Sequence, residues 1–507
     1  MTARKDDRIA KDRMYSSILC VLLLFLSFLL SPYSPRFRYV YDMDAVCYRI
    51  MARGLLAGKI PYLDLFDHKG PLVHYIFSLG YFFSRNADWG AWIIVNIFNF
   101  ISFIFCYKTI RVFRNAEHSF LATVLTIFIS TYSVNSIFFT MSKPDALLLA
   151  PLMVSVYLFV KETHRKKGEV FDHISHRALF VIGLMCGMVF MMKLNICLFY
   201  LAFIGLYFLW LIIQKKPKEF FASVGVFLGG IAAVCLPIVL SMVLLNNLKE
   251  FFNAYIVYNA RYSTTRDRFF YLSKVLINKQ VKNTLSVFLL LTLGALLHDI
   301  KKRLLTATKI LELILAFIVM AILTYSYVFG YFYIVFVPFY LYGTDWLSGF
   351  VFSLFKREKN SCLLPVVLSI ILIGLVGLQV ATTPFVPSEK SSVETKIEEY
   401  AQKHPQAQVL FLRSLCEPIY SNYLPEVPDF REFYTPPIKN TDLYEKQLSI
   451  VKAQKATVVV WVIRDDQAYN DSLRSYLSDC GYHEYLTYEF DGGLGISYFS
   501  MYVLDES

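Results

Sequence analysis

Charged residues are scarce in this 507-residue chain. Asp, Glu, Lys and Arg make up 18% of it, where a soluble domain carries about 25%. Hydrophobic residues reach 56%, aromatics 17%, and the mean hydropathy is +0.48. That balance excludes an ordinary soluble globular protein, so membrane spans must be placed before any other element. Negative charge is scarcer than positive, and unevenly so. Residues 388–507 hold 11 Lys and Arg against 19 Asp and Glu, a net of −8. Residues 1–387 are left with 39 against 20, a net of +19. Opposite balances imply a membrane body over 1–387 and an appended soluble domain over 388–507. The basic excess does not require nucleic acid as a partner, because cytoplasmic loops collect Lys and Arg anyway.

Other absences narrow the choice. There is no CxxC pair and no HExxH, so the sequence carries no strong thiol-redox or metal signature. No internal repeat, broken helix or mid-span charge supports a transporter or lipid flippase. No small-x-small cleavage site follows "FLLSPYSPRF", so the basic N-terminus and first apolar run read as an uncleaved anchor rather than a signal peptide. Six of the nine cysteines (Cys20, Cys106, Cys186, Cys197, Cys235 and Cys362) lie in or beside apolar runs and read as small hydrophobes. Cys416 and Cys480 share the soluble region, where a disulfide between them is one option.

What is present is a series of about eleven apolar stretches, near 15–32, 89–108, 118–139, 145–160, 178–193, 196–213, 221–245, 284–298, 307–327, 331–350 and 362–381. Alternation from a cytoplasmic N-terminus puts the basic connections inside: Lys108–Arg114, 161–177, "QKKPKE", "HDIKKR" and "KREK". The long mixed loops 33–88 and 246–283, and everything after 381, then fall outside. The positive-inside rule holds along the whole chain on this reading. The expected fold is an α-helical polytopic membrane protein of the cell (plasma or inner) membrane, with a small extracytoplasmic α/β domain at its C-terminus. In that domain, β-rich runs at 408–413, 456–463, 485–490 and 497–504 alternate with helical patterns.

The first outer loop is more than a linker. "DAVCYRIMARGLLAG" (44–58) places Cys47, Ile50, Met51 and Leu55 at helical spacing, with Arg49 and Arg53 opposite, which predicts an interfacial helix closed by Gly58. "GPLVHYIFSLGYFF" (70–83) predicts a second. Between them "YLDLFDHKG" crowds Asp64, Asp67, His68 and Lys69 together, with His74 following. Ionisable groups beside a membrane are costly to desolvate, so the cluster needs a reason. Asp44 could simply cap the first helix. Asp145, however, opens the fourth span on the same side, and Lys69 and Lys193 share that side. Two carboxylates and two ammonium groups at one face suit an anionic lipid headgroup, the lysines neutralising phosphate and a carboxylate acting as base. Lysines snorkelling to the interface are the bland alternative. His68 and His74 as metal ligands have no further motif behind them.

Asp44, Gly58, Pro61, Tyr62, Asp64, Asp67, His68, Lys69, Pro71 and Leu72 together resemble the first outer loop of bacterial GT-C glycosyltransferases. The likeness is to the dolichyl-phosphate-mannose protein mannosyltransferase-like and aminoarabinose transferase-like group. In that loop Gly70 stands where proline is more usual, and "MMKLN" resembles a later element of the group. "IYSNYLPEVPDFREFYTPPI" in the tail resembles the soluble domain of one subgroup. The resemblance implies inverting transfer of a sugar, outside the membrane, from a polyprenyl-phosphate-linked donor to an envelope glycan, lipid or protein. It implies Asp44 as the catalytic carboxylate, Asp145 as a second acidic residue, and Lys69 and Lys193 at the donor phosphate. Tyr62, Asp67 and His68 would form a wall of the site. His68 stands where some members use glutamate to hold a divalent metal, so metal is an open cofactor. A non-catalytic envelope assembly protein, or a transporter or flippase, is the rival reading.

Overall fold

The computed structural model describes residues 2–40, 42–85, 87–133, 144–163, 174–264, 279–302, 313, 314, 317, 337–354, 366–371, 374, 375, 377, 390–424, 427–436, 441–463, 466–491 and 496–505. The expected span at 307–327 lies almost wholly outside these residues, as do most of 362–381 and the first part of 331–350. The chain divides into two compact units. One comprises Met1–Ser31, Ile93–Leu240 and Arg266–Thr383. The other comprises Pro32–Trp92, Ser241–Thr265 and Pro384–Ser507.

The first unit is helical. Its elements include α1 (Thr2–Leu30), most of α4 (Trp89–Arg111), α5 (Ala116–Ser133), α6 (Pro144–Thr163), α7 (His176–Met192), α8 (Ile204–Ile213) and most of α9 (Pro217–Leu244). Among the described residues four helices are long and apolar enough to cross a membrane: Arg8–Leu30, Trp89–Arg111, Asp145–Thr163 and Pro217–Leu244. A fifth span results if Leu194–Leu201 and Ile204–Ile213, bent by 41°, are taken together. Apolar helices in this number make the chain a multi-pass membrane protein. Between apolar helices the drive to pack comes from close approach, and small residues supply it. Gly183 and Gly230 do so here. A Cβ on Gly183 would lie 2.2 Å from the Phe227 carbonyl oxygen, and one on Gly230 would lie 2.3 Å from that of Phe180. Buried hydroxyls are satisfied locally: Thr126 and Thr344 share a 2.9 Å hydrogen bond, and Ser155 donates to the Pro151 carbonyl one turn earlier in α6.

The second unit joins the first outer loop, the segment after α9 and the tail. Its sheet has the order β1-β2-β4-β3, from β1 (Val409–Leu412), β2 (Val458–Ile463), β3 (Tyr482–Asp491) and β4 (Ile496–Leu504). β1 and β2 are parallel; the other neighbours are antiparallel. A parallel pair needs a crossover, and the helix Thr441–Lys452 supplies one. Its apolar Leu443, Ile450 and Val451 are buried. The helix Ser392–Lys403 matches a helical pattern of the sequence, and Gln467–Asp479 overlaps the second, beginning before Asp471.

Two helices of the outer loop belong to this unit, α2 (Met43–Leu56) and α3 (Pro71–Ser84). Gly58 (φ +86°) closes α2, its left-handed backbone letting the Lys59 amide reach the Gly54 carbonyl. The amphipathic expectation for α2 is corrected. Arg49 is not on an open face but 2% exposed, paired with Asp88 at 3.1 Å. Asp88 also accepts from the Tyr81 hydroxyl of α3. α2 is covered on several sides, and Tyr48 stacks on Phe77 of α3.

Candidate active site

The cap of α2 is Asp42, whose carboxylate accepts the Ala45 amide at 3.0 Å. Asp44 lies inside the first turn, so the N-cap role that the sequence left open for it belongs to its neighbour. A carboxylate at a helix N-terminus is favoured by the helix dipole wherever it points. Asp44 is half-buried, and its charge acts on both His68 and Cys416.

The loop from α2 to α3 is shaped by its own backbone. Tyr62 is completely buried with φ +69°, a left-handed conformation uncommon for a residue with a Cβ. Its amide donates to the Leu65 carbonyl and its hydroxyl to the Lys69 carbonyl at 2.7 Å. Asp64 accepts the Ile60 amide at 2.7 Å, which makes it a turn residue. Asn247 and Asn259 donate to the Pro61 and His68 carbonyls. Gly70 has φ −67°, the value proline holds, so the glycine in place of proline does not change the path of the chain.

This turn presents Asp67, His68 and Lys69 as a connected row. Asp67 is buried. Its Oδ1 accepts the Tyr434 hydroxyl at 2.7 Å and the His68 amide at 2.6 Å, and His74 Nε2 lies 3.3 Å from its Oδ2. Burial alone would raise the Asp67 pKa. The His68 hydrogen bond, the His74 ring and the Lys69 ammonium outweigh it and hold the carboxyl well below the usual range. His68 and His74 shift downward, burial being the main cause. A neutral His68 can point Nδ1 at Asp67, 3.3 Å away, and accept from Lys69 Nζ at Nε2, 2.7 Å away. The order is carboxylate, imidazole, ammonium. It fixes the lysine head while leaving two of its three protons for an anion.

The tail completes the arrangement, which the sequence did not foretell. Arg431 donates through Nε to the Tyr62 carbonyl at 2.6 Å and through a terminal nitrogen to Glu250 at 2.8 Å. Its own carbonyl accepts the Phe66 amide. Gln447 of the crossover helix uses its whole side-chain amide: Oε1 accepts from the Arg413 amide and the Thr435 hydroxyl, and Nε2 donates to the Phe411 and Glu432 carbonyls. That holds 432–435 against β1, and Tyr434 is thereby carried to Asp67. Polar and aromatic density in "DFREFY" was the available signal.

Asp145 and Lys193 belong to the first unit. Asp145 is 1% exposed in the first turn of α6, and Lys193 caps the C-terminus of α7. They form an ion pair at 2.7 Å. The suggested Cys416–Cys480 disulfide is not formed. Both are free thiols, Cys416 lying against Cys47 and Cys480 beside Tyr476. For a divalent metal the residues do not fit: among the described residues no three His, Cys, Asp or Glu side chains are grouped to hold one, and His68 Nε2 faces the Lys69 ammonium. A cavity of about 800 Å³ in the first unit is lined by Phe159, Phe199 and Phe203, with Arg114, His118 and Asp345 among its polar groups.

Residues 68–244 match the family described as dolichyl-phosphate-mannose-protein mannosyltransferase. The match begins at His68 and takes in Lys69, Asp145 and Lys193 but not Asp44. No curated protein matches the sequence. Among solved structures, ArnT from Cupriavidus metallidurans bound to undecaprenyl phosphate is similar with a TM-score of 0.56 and 11% identity, over 96% of this chain and 97% of that one. Its apo structure gives 0.54 over the same shares. The Archaeoglobus fulgidus oligosaccharyltransferase, solved with zinc and sulfate, gives 0.50 and 13% identity, over 96% of this chain and 72% of that one. Over 68–244 in sequence, and over nearly its whole length in fold, this chain is similar to the mannosyltransferase-like and aminoarabinose transferase-like group of GT-C glycosyltransferases.

Proposed function

We propose that this protein is a membrane glycosyltransferase that moves a sugar from a polyprenyl-phosphate-linked donor to an envelope glycan, lipid or protein outside the membrane. The observation that carries the proposal is the row Asp67–His68–Lys69, a fixed ammonium on an imidazole that feels the charge of Asp44 in the first turn of α2. An acceptor hydroxyl attacks the anomeric carbon with inversion, and Asp44 takes its proton. The bond from that carbon to the phosphate oxygen breaks, and Lys69 stabilises the charge that collects on the leaving polyprenyl phosphate. Asp67 and His68 hold Lys69, and Tyr62 shapes the wall through its hydroxyl on the Lys69 carbonyl. In the first unit, Lys193 is proposed as a second phosphate-binding residue and Asp145 as the acidic group that orients it. The site is proposed to lie on the outer face of the cell membrane, with the N-terminus inside.

Mass spectrometry of envelope glycans from cells with and without the protein tests this, and names the sugar and acceptor. Loss of one lipid-linked sugar's transfer is the expected result. In proteoliposomes, Asp44→Asn should lower turnover by about 10²–10⁴-fold at unchanged expression, the range for a lost general base. Near-normal turnover would assign the base elsewhere.

A further inference from the structure

Cys47 lies on α2 three residues after Asp44, and Cys416 lies between β1 and the short helix Pro418–Tyr423. Both side chains are buried, 2% and 0% exposed. The two thiols lie against each other, close enough for charge on one to act on the other. The helix Pro418–Tyr423, which follows Cys416 directly, packs on α2, the helix that carries Cys47. Charge on either sulfur would be felt at Tyr434, the residue that holds Asp67, which puts the pair at the heart of this unit. A thiol is a weak donor and a weak acceptor, so two reduced thiols there add little to the packing by themselves. Two enclosed thiols facing each other are the reduced form of a cross-link.

We propose that Cys47 and Cys416 are joined by a disulfide in the mature protein, tying the helix that carries Asp44 to the C-terminal tail. This rests on the outer placement of loop one and tail given under Proposed function, because disulfides persist in oxidising compartments. It does not depend on the transfer chemistry. Two S–H bonds break and one S–S bond forms. The two electrons go to a disulfide-bearing protein oxidant, which leaves as its dithiol after thiol–disulfide exchange. The oxidant's own S–S bond breaks in exchange, and the two protons end on its sulfurs. Burial sets the timing: exchange takes place as the chain folds outside the membrane, before α2 and the tail enclose the sulfurs. The closed bond is then shielded from reductant.

The test uses the full chain in its own membranes. Membranes are opened in denaturant with N-ethylmaleimide, digested without reductant, and the peptides read by mass spectrometry. The expected result is a peptide pair linked through Cys47 and Cys416, lost on reduction, with no maleimide on either residue. In Cys47→Ser, Cys416 should take up maleimide; the wild-type measurement decides even if that variant folds poorly. Maleimide on both wild-type thiols, or a link from Cys416 to Cys480, overturns the proposal. A reporter at 450 in the same strain separates the two premises. Free thiols with an outside tag remove the disulfide alone. Free thiols with an inside tag remove the outer placement, and the disulfide with it.

Discussion

A lysine that only reaches for water tolerates any cationic replacement, because nothing reads its shape. Lys69 is held differently, by a 2.7 Å contact to His68 and by the Tyr62 hydroxyl on its carbonyl. If its head serves the donor phosphate, Lys69→Ala should weaken use of the lipid donor by about ten- to a hundredfold, since a charge-assisted contact contributes roughly 1.5–3 kcal/mol. Lys69→Arg should rescue only in part, a planar guanidinium being unable to keep the same contact with His68. Donor titration in proteoliposomes measures both, and unaltered donor dependence in the alanine variant would remove the phosphate role. Glu417 offers a pH test in the same unit. It is fully buried and caps the helix Pro418–Tyr423 through the Tyr420 amide. Burial pushes its carboxyl up to about 8, against hydrogen bonds from Tyr420, Tyr488 and Ile419 that lower it. The folded state therefore keeps a proton that the unfolded state releases near pH 4.5. Stability is lost as pH rises through that window, from about 5 to 8, and the loss levels off above it. Glu417→Gln should accordingly raise the melting temperature of the solubilised protein by an increment that grows between pH 5 and pH 8. An increment independent of pH would show that Glu417 is ionised throughout.

At the scale of elements, the tail and the outer loop are joined by hydrogen bonds and ion pairs between named side chains. Tyr434 donates to a carboxylate kept charged in the interior, and removing one donor from a buried charge costs more than an average hydrogen bond. Tyr434→Phe should lower stability by roughly 1.5–3 kcal/mol and weaken donor use, because Asp67 no longer anchors His68 and through it Lys69. A stability loss with unchanged donor dependence would make Tyr434 a packing residue only; thermal melts and donor titrations on the same preparation distinguish the two. This contact also marks where sequence reasoning stops. The tail strands and the close of α2 at Gly58 were legible because alternation and a left-handed glycine are local signals. The N-cap of α2 was off by two residues. Asp42 and Asp44 are chemically alike, and only the hydrogen bond to Ala45 says which one caps. Arg49 was placed on the wrong face because its partner Asp88 lies 39 residues along the chain. Tyr434 was given no role because Asp67 lies 367 residues away, and nothing in either neighbourhood points to the other. The crossover helix Thr441–Lys452 was passed over, although a parallel pair such as β1 and β2 demands one.

At the scale of the whole molecule, a glycosyltransferase that uses a polyprenyl-phosphate donor outside the membrane must present loop one and the tail on the outer face. Cytoplasmic connections of a polytopic protein carry its Lys and Arg excess. Here the basic clusters Lys108–Arg114, Lys215–Lys218 and Lys301–Arg303 alternate with the long mixed loop 33–88 and the acidic tail. Loop one and the tail fall within one compact unit, joined by Tyr434 on Asp67 and Arg431 on Tyr62, so they must share a side. That requirement constrains the span count, because the number of crossings between residue 88 and residue 390 must be even. Reporter fusions or single-cysteine labelling at 65 and 450 should therefore both read extracytoplasmic, and at 113, 215 and 300 cytoplasmic. A split result, 65 outside and 450 inside, would contradict the contacts between loop and tail. Agreement of both on the inside would keep the fold and overturn the orientation, and with it an outer-face donor site.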